Sequence, residues 1–240
     1  MSDKLIEIQN LKKSFGKNKV LKGINLSFGS GQVIAVMGPN GSGKTTLVKC
    51  ILGLVKPDSG DILVKSLNIK KTCDYRRFIG YMPQTPSYPE NLRVEELVKM
   101  FKDVRGNHAT HDEELLRQLN ISSFYGKPYG TLSHGSKQRV SGSLAFMFNQ
   151  EIIILDEPTA GLDPVSSEQM KNKILKEKDK GKLLLITSHL VSEVEQLADR
   201  VVFLLEGSVE ADGTVNELKE KTGEGSLNRA FAKMINGTAS

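Results

Sequence analysis

The chain has 240 residues, 38% of them hydrophobic, with 22 glycines, and its 33 basic against 28 acidic side chains give a formal net charge of +5. With glycine counted, the apolar share is near the ~45–50% usual for soluble globular domains, which excludes disordered and fibrous classes. No uninterrupted apolar run exceeds five residues (33–37, 144–148 and 201–205), against the ~20 that a membrane-spanning helix needs.

The opening Met-Ser-Asp-Lys-Leu has no apolar stretch of the kind a secretory signal requires. Two cysteines, Cys50 and Cys73, make no disulfide framework and fit a reducing compartment. The positive excess draws anions: nucleotide phosphate, nucleic acid or an acidic membrane face. Tryptophan is absent and aromatics are 6%, so the stacking platforms of single-strand binders are not expected. Lys171, Lys173, Lys176, Lys178, Lys180 and Lys182 crowd one stretch, which reads as a solvated helix face.

Residues 6–11 and 20–28 alternate like half-buried strands. Residues 32–37 form a short β-branched apolar run ending at Gly38, which reads as a fully buried strand. A helix is expected over 44–54, with Leu47, Val48, Ile51 and Leu52 at helical spacing. Pro57-Asp58-Ser59-Gly60 reads as a turn, and 78–82 as a strand stopped by Pro83. From Arg93 to Phe148 apolar residues fall at three-to-four spacing, which predicts a mostly helical insert. Strands return at 152–155, 183–187 and 200–205, alternating with helices near 166–178 and 190–198. That alternation implies a largely parallel sheet. Residues 214–240 hold two short helices at most.

Gly38-Pro39-Asn40-Gly41-Ser42-Gly43-Lys44-Thr45 matches the pattern G-x-x-x-x-G-K-[ST] between a strand and a helix. Glycines let backbone N–H groups converge on phosphate oxygens, and the helix that follows turns its positive end to the anion. Lys44 reaches the β- and γ-phosphates, and the Thr45 hydroxyl ligates Mg²⁺. These eight residues and Thr46 are the expected ATP contacts. Farther on, Glu151-Ile152-Ile153-Ile154-Leu155-Asp156-Glu157 is an apolar strand ending in two carboxylates. Asp156 is expected to hold Mg²⁺, and Glu157 to orient and deprotonate the attacking water.

With Thr131-Leu132-Ser133-His134-Gly135-Ser136-Lys137-Gln138-Arg139 between those two motifs, the chain resembles the ATP-binding subunits of ABC transporters over nearly its whole length. The resemblance implies a single ABC domain over 1–240, of α/β class. It implies a P-loop NTPase (RecA-like) core of mostly parallel sheet with an N-terminal antiparallel β part (1–92 and 150–222). A helical signature subdomain (93–149) and a short tail (223–240) complete it. Ser133 and Gly135 resemble the signature residues that hold the γ-phosphate of the ATP on the opposite subunit. The signature departs from the family pattern at His134 and Ser136, which bears on turnover and is tolerable if φ at His134 stays negative. Ala160-Gly161-Leu162-Asp163 resembles the D-loop that joins two subunits, with Asp163 at the dimer contact. Gln84 resembles the glutamine that touches Mg²⁺ and relays to the membrane partner. His189 resembles the histidine that contacts the γ-phosphate, and Phe15 the aromatic that stacks on adenine.

By the same resemblance two copies, or this chain and a homologous ATPase, would pair head to tail around two ATP–Mg²⁺. They would hydrolyse ATP to power an integral-membrane permease from the cytoplasmic face of the cell membrane. The chain ends 240 − 189 = 51 residues after His189, which favours a compact subunit of the kind paired with ABC-2-type permeases. Residues 78–84, 88–92, 144–148 and 156–164 are similar to the ATPase of the NosDFY-type complex, which serves maturation of copper nitrous-oxide reductase. The alternative is a soluble ATPase of the same family acting on ribosomes or DNA. The two-cassette chains of the translation type and the long coiled coil of the repair type both differ from this single motif set. A P-loop kinase would leave Ser133, Gly135 and His189 unexplained.

Overall fold

The computed structural model describes residues 4–105 and 111–237. Strands β1 (Lys4–Phe15) and β2 (Asn18–Gly29) pair antiparallel, with Phe15 opposite Asn18 beside the hairpin turn. Buried β3 (Gln32–Met37) leads through the Gly-rich loop to α1 (Lys44–Ile51). The chain then returns along β1 as β4 (Ser59–Val64) and β5 (Leu67–Asn68), closing a four-stranded antiparallel sheet in the order β2-β1-β4-β5. The expected turn at 57–60 is therefore shorter, because β4 begins at Ser59. Neither β4 nor β5 stands out in the sequence, since both are short and only half-buried.

After β6 (Ile79–Met82) the insert contains α2 (Val94–Arg105), α3 (Glu114–Gln118) and α4 (His134–Phe146). Residues 106–110, within the expected helical part, lie outside the described residues, as do 1–3 and 238–240 of the expected unit. The core resumes with β7 (Ile152–Asp156), α5 (Pro164–Asp179), β8 (Leu183–Thr187), α6 (Val191–Leu197), β9 (Arg200–Leu205) and β10 (Ser208–Gly213). Two helices close the chain, α7 (Val215–Thr222) and α8 (Leu227–Gly237), and Phe231 of α8 stacks on Phe203 of β9 at 4.4 Å.

The second sheet runs β10-β9-β3-β8-β7-β6, parallel throughout except for the antiparallel edge strand β10. Strands buried on both faces read as continuous apolar runs, as β3, β7 and β8 do. Alternation within them feeds two cores. Ile34 and Val36 of β3 face the core shared with α1 and the antiparallel sheet, while Val33, Ala35 and Met37 face the one shared with α4 and α5.

The lysine-rich stretch is in part the expected solvated face, with Lys176 and Lys180 exposed, but two of its six lysines are buried. Lys173 is 2% exposed and Lys182 7% exposed. Lys173 Nζ lies 2.7 Å from Asp112, 3.0 Å from Glu114 and 3.0 Å from Glu177, and Lys182 pairs with Glu177 as well. Three carboxylates converge on Lys173 because α5 packs against α3. An ammonium so surrounded stays charged in burial, and these bonds hold its pKa above the ordinary value against desolvation.

Candidate nucleotide site

Four adjacent parallel strands, β3, β8, β7 and β6, end at the same edge of the sheet. Loops leaving the carboxyl ends of such strands converge in space. Gly38 follows β3 by one residue, Asp156 is the last residue of β7, His189 stands two past β8 and Gln84 two past β6. Motifs far apart in sequence are thus brought together by strand order.

The result is a cavity of about 320 Å³ lined by Phe15, Asn18, Val20, Asn40, Gly41, Gly43, Lys44, Thr45, Thr46, Gln84, Asp156 and Glu157. Two glycines shape the loop beside it. Gly38 takes φ 143 and a Cβ there would stand 2.1 Å from the Leu204 carbonyl oxygen; Gly43 takes φ 106 at the start of α1 with no side-chain cap. The first N–H groups of α1 are left for a ligand, as anion sites at helix N-termini require. Lys44 Nζ donates to the carbonyls of Gly38 (2.7 Å) and Pro39 (3.0 Å), folding back over its own loop. Burial pushes its pKa down, against the pull of the Glu157 and Asp156 carboxylates. Pro39, Gly38 and Ser42 belong to the loop without lining the cavity, and the Ser42 hydroxyl is buried.

Asp156 is 4% exposed and accepts a hydrogen bond from the Thr187 hydroxyl of the neighbouring strand. Glu157 sits at φ 56, a region non-glycine residues rarely occupy. Its N–H is held by the Thr187 carbonyl (3.1 Å) and hydroxyl (3.2 Å). Thr187 therefore holds the Asp156 carboxylate and the Glu157 main chain. His189 does not line the cavity, yet its Nδ1 stands 2.6 Å from Glu157 Oε2. On α6, buried Glu193 accepts from Thr159 (2.6 Å) and Ser188 (2.5 Å), which holds the segments on either side of Glu157 and His189.

Thr45, Gln84 and Asp156 offer a hydroxyl, an amide and a carboxylate at the cavity wall, the hard oxygen donors that suit Mg²⁺. Among the described residues no group of three or more His, Cys, Asp or Glu could hold a metal by itself. That set therefore fits a cation that arrives with phosphate oxygens.

Ser133, Gly135 and Asp163 lie outside this cavity. Ser133 is exposed and caps α4, its hydroxyl accepting from the Ser136 N–H (3.3 Å). His134 begins the helix and is not among the positive-φ residues, so the side chain is tolerated there. Its ring packs on Gly161: a Cβ on Gly161 would stand 2.6 Å from His134 Cδ2, and one on Gly135 2.6 Å from the Gly161 carbonyl oxygen. The carboxylate of Asp163 is used within its own chain, accepting from Ser166 N–H (2.9 Å) and Oγ (2.6 Å) to cap α5 ahead of Pro164.

Sequence reasoning missed Asn18, Val20, Thr187, Glu193 and Gln138. Asn18 was recoverable from the hairpin that sets it opposite Phe15. Thr187 and Glu193 are polar residues whose importance depends on which strand lies beside which.

Residues 21–160 match the model of the ABC transporter family. The lantibiotic transport ATP-binding protein SrtF of Streptococcus pyogenes is 35% identical over 88% of this chain and 93% of its own. The linearmycin resistance ATP-binding protein LnrL of Bacillus subtilis is 32% identical over 97% of this chain and 76% of its own. The arginine transport ATP-binding protein ArtM of the same species is 33% identical over 89% and 92%. A solved ATP-binding subunit of an ABC transporter superposes with a TM-score of 0.91 at 28% identity, covering 96% of this chain and 99% of that one. A dimeric cassette in a post-hydrolysis state, bound to ADP and phosphate, superposes at 0.76 with 25% identity over 87% and 98%. None of these names points to nitrous-oxide reductase maturation. With family match and fold in agreement, the chain belongs to the ABC transporter family, among its ATP-binding and ATP-hydrolysing subunits.

Proposed function

We propose that two copies of this chain, or one copy and a homologous ATPase, close head to tail on two ATP molecules and drive a separate membrane permease. The observation that carries the reading is a division within the chain. One set of residues lines an open cavity, while Ser133 and Gly135 stand outside it at the exposed start of a helix. A helix N-terminus with free N–H groups suits a γ-phosphate, and the triphosphate it would reach belongs to a second copy. The dimeric cassette with ADP and phosphate supports the pairing.

In this reading Phe15 stacks on the base, and the loop from Gly38 to Thr46 wraps the phosphates through its N–H groups. Lys44 swings off the Gly38 and Pro39 carbonyls onto the β- and γ-phosphates. Thr45, Gln84 and Asp156 would hold Mg²⁺, which would neutralise charge on the phosphates. Glu157 accepts a proton from water as its oxygen attacks the γ-phosphorus; the bond to the bridging oxygen breaks and ADP leaves. His189, in contact with Glu157, orients that carboxylate and meets the γ-phosphate. Asp163 keeps the D-loop in shape by capping α5 at the subunit contact.

No described helix is long and apolar enough to cross a membrane; in this reading a separate permease holds the ATPase at the inner membrane face. The cargo is set by that permease. The transport and resistance names of the relatives favour this over action on ribosomes or DNA.

The test is a Glu157→Gln variant with ATP, Mg²⁺ and size-exclusion chromatography. Nucleotide-dependent dimers with turnover reduced about 10²-fold or more are expected. A variant that turns over like the wild type would remove Glu157 as the base.

A further inference from the structure

Helix α4 carries Ser133 at its N-terminus and Gln138 one turn further on. Gln138 is fully buried, and its Nε2 donates to the Gln84 main-chain carbonyl at 2.7 Å. Its Oε1 is equally buried and meets no donor among the described residues. A second polar contact joins the same pieces, and a third ties the loop to Tyr129 in the turn ahead of α4. The Tyr88 hydroxyl lies 3.3 Å from Ser141 Oγ on α4, and the Tyr129 hydroxyl donates to the Pro86 carbonyl at 3.4 Å. The Tyr88 and Tyr129 rings meet edge to face at 5.3 Å. Residues 84–88 are thereby stapled to the helix that presents Ser133.

We infer that Gln138 is the positioning residue linking the chain's own ATP site to the one it completes on its partner, so that the two sites load together. Gln84 lines the cavity of this chain, and the proposed γ-phosphate contact of Ser133 lies on the other copy. A shift of residue 84 toward bound nucleotide pulls α4 through the Gln138 amide and carries Ser133 with it. A buried amide bond transmits such a shift because breaking it strands two polar groups away from water, at a cost comparable to the coupling energies of linked sites. The unpartnered Oε1 leaves the amide free to gain a second bond as the pieces move.

The inference rests on the paired-site reading above, and the test separates the two. ATP saturation of turnover is measured for the wild type and for Gln138→Met, with single-subunit affinity from a fluorescent ATP analogue without Mg²⁺. A sigmoid wild type, with a Hill coefficient between about 1 and 2 for two sites, is expected. The variant should keep its analogue affinity within about twofold, lose about tenfold or more in kcat and become hyperbolic. A sigmoid wild type with an equally sigmoid and active variant overturns the lever alone; a hyperbolic wild type overturns the paired sites and the lever with them. Gln138→Asn covers the case in which Gln138→Met fails to fold: it keeps a buried amide but is one methylene too short for the Gln84 carbonyl. It should also turn hyperbolic with analogue affinity kept within about twofold; a variant as sigmoid and active as the wild type contradicts the role.

Discussion

Thr187 shows how one side chain can set the chemistry of two others. Its hydroxyl donates to Asp156 and accepts from the Glu157 N–H, the latter at a residue with φ 56. Thr187→Val keeps the shape and removes both bonds. The expected result is a loss of about tenfold or more in kcat with nucleotide affinity changed less than about threefold, read from steady-state kinetics and a binding titration. An unchanged kcat would show that the β7 carboxylates hold their positions without it. At this scale the sequence told most where a residue's duty is tied to its neighbours in the chain. Gly38 through Thr46 and the Asp156-Glu157 pair are such cases. Thr187, Glu193 and Gln138 were illegible because each works on a group 30 or more residues away or on an adjoining helix and loop.

Among the elements, α5 was legible as a helix, and its lysine face was misread at Lys173. Its lysines are regular enough to look solvated, but α3 brings Asp112 and Glu114 against Lys173. Periodicity cannot report that contact, because α3 is short and separated from α5 by more than 40 residues. Removing one partner of a buried ion cluster costs about 3–5 kcal/mol. Lys173→Met should therefore lower the thermal midpoint by about 10 °C, taking 2–4 °C per kcal/mol for a chain of this size; a shift under about 2 °C would mean the cluster contributes nothing net. Burial pushes the Asp112 and Glu177 carboxyls up, yet bonds from Lys173, Lys180 and Lys182 outweigh it and hold both below their ordinary values. With folded pKa values depressed, their contribution is complete above the ordinary carboxylate range. It is lost as pH falls through the folded values, below about pH 4. Acid unfolding of the wild type should be steep there, and Lys173→Met should begin to unfold at higher pH. Gly38→Ala sets a methyl 2.1 Å from the Leu204 carbonyl oxygen, so ATP binding should be lost; binding at wild-type affinity would show that the loop can move off β9.

For the whole molecule, strand order decides where the site is, and chain composition decides what the molecule lacks. The alternation of buried strands with helices was enough to infer the parallel sheet, and β3, β8 and β9 fall at the expected residues. The antiparallel sheet was known only by resemblance, since half-buried β4 and β5 carry little periodic signal. The exposed helix start at Ser133, outside the cavity of its own chain, was foreshadowed only by the resemblance. In the proposed reading, that placement makes an ATPase competent only in pairs. The decisive measurement is ATP hydrolysis per mole of purified protein across dilution from micromolar to nanomolar. Hydrolysis per mole should fall as copies separate, whereas a value constant down to the lowest concentration would mean that a single copy completes its own site.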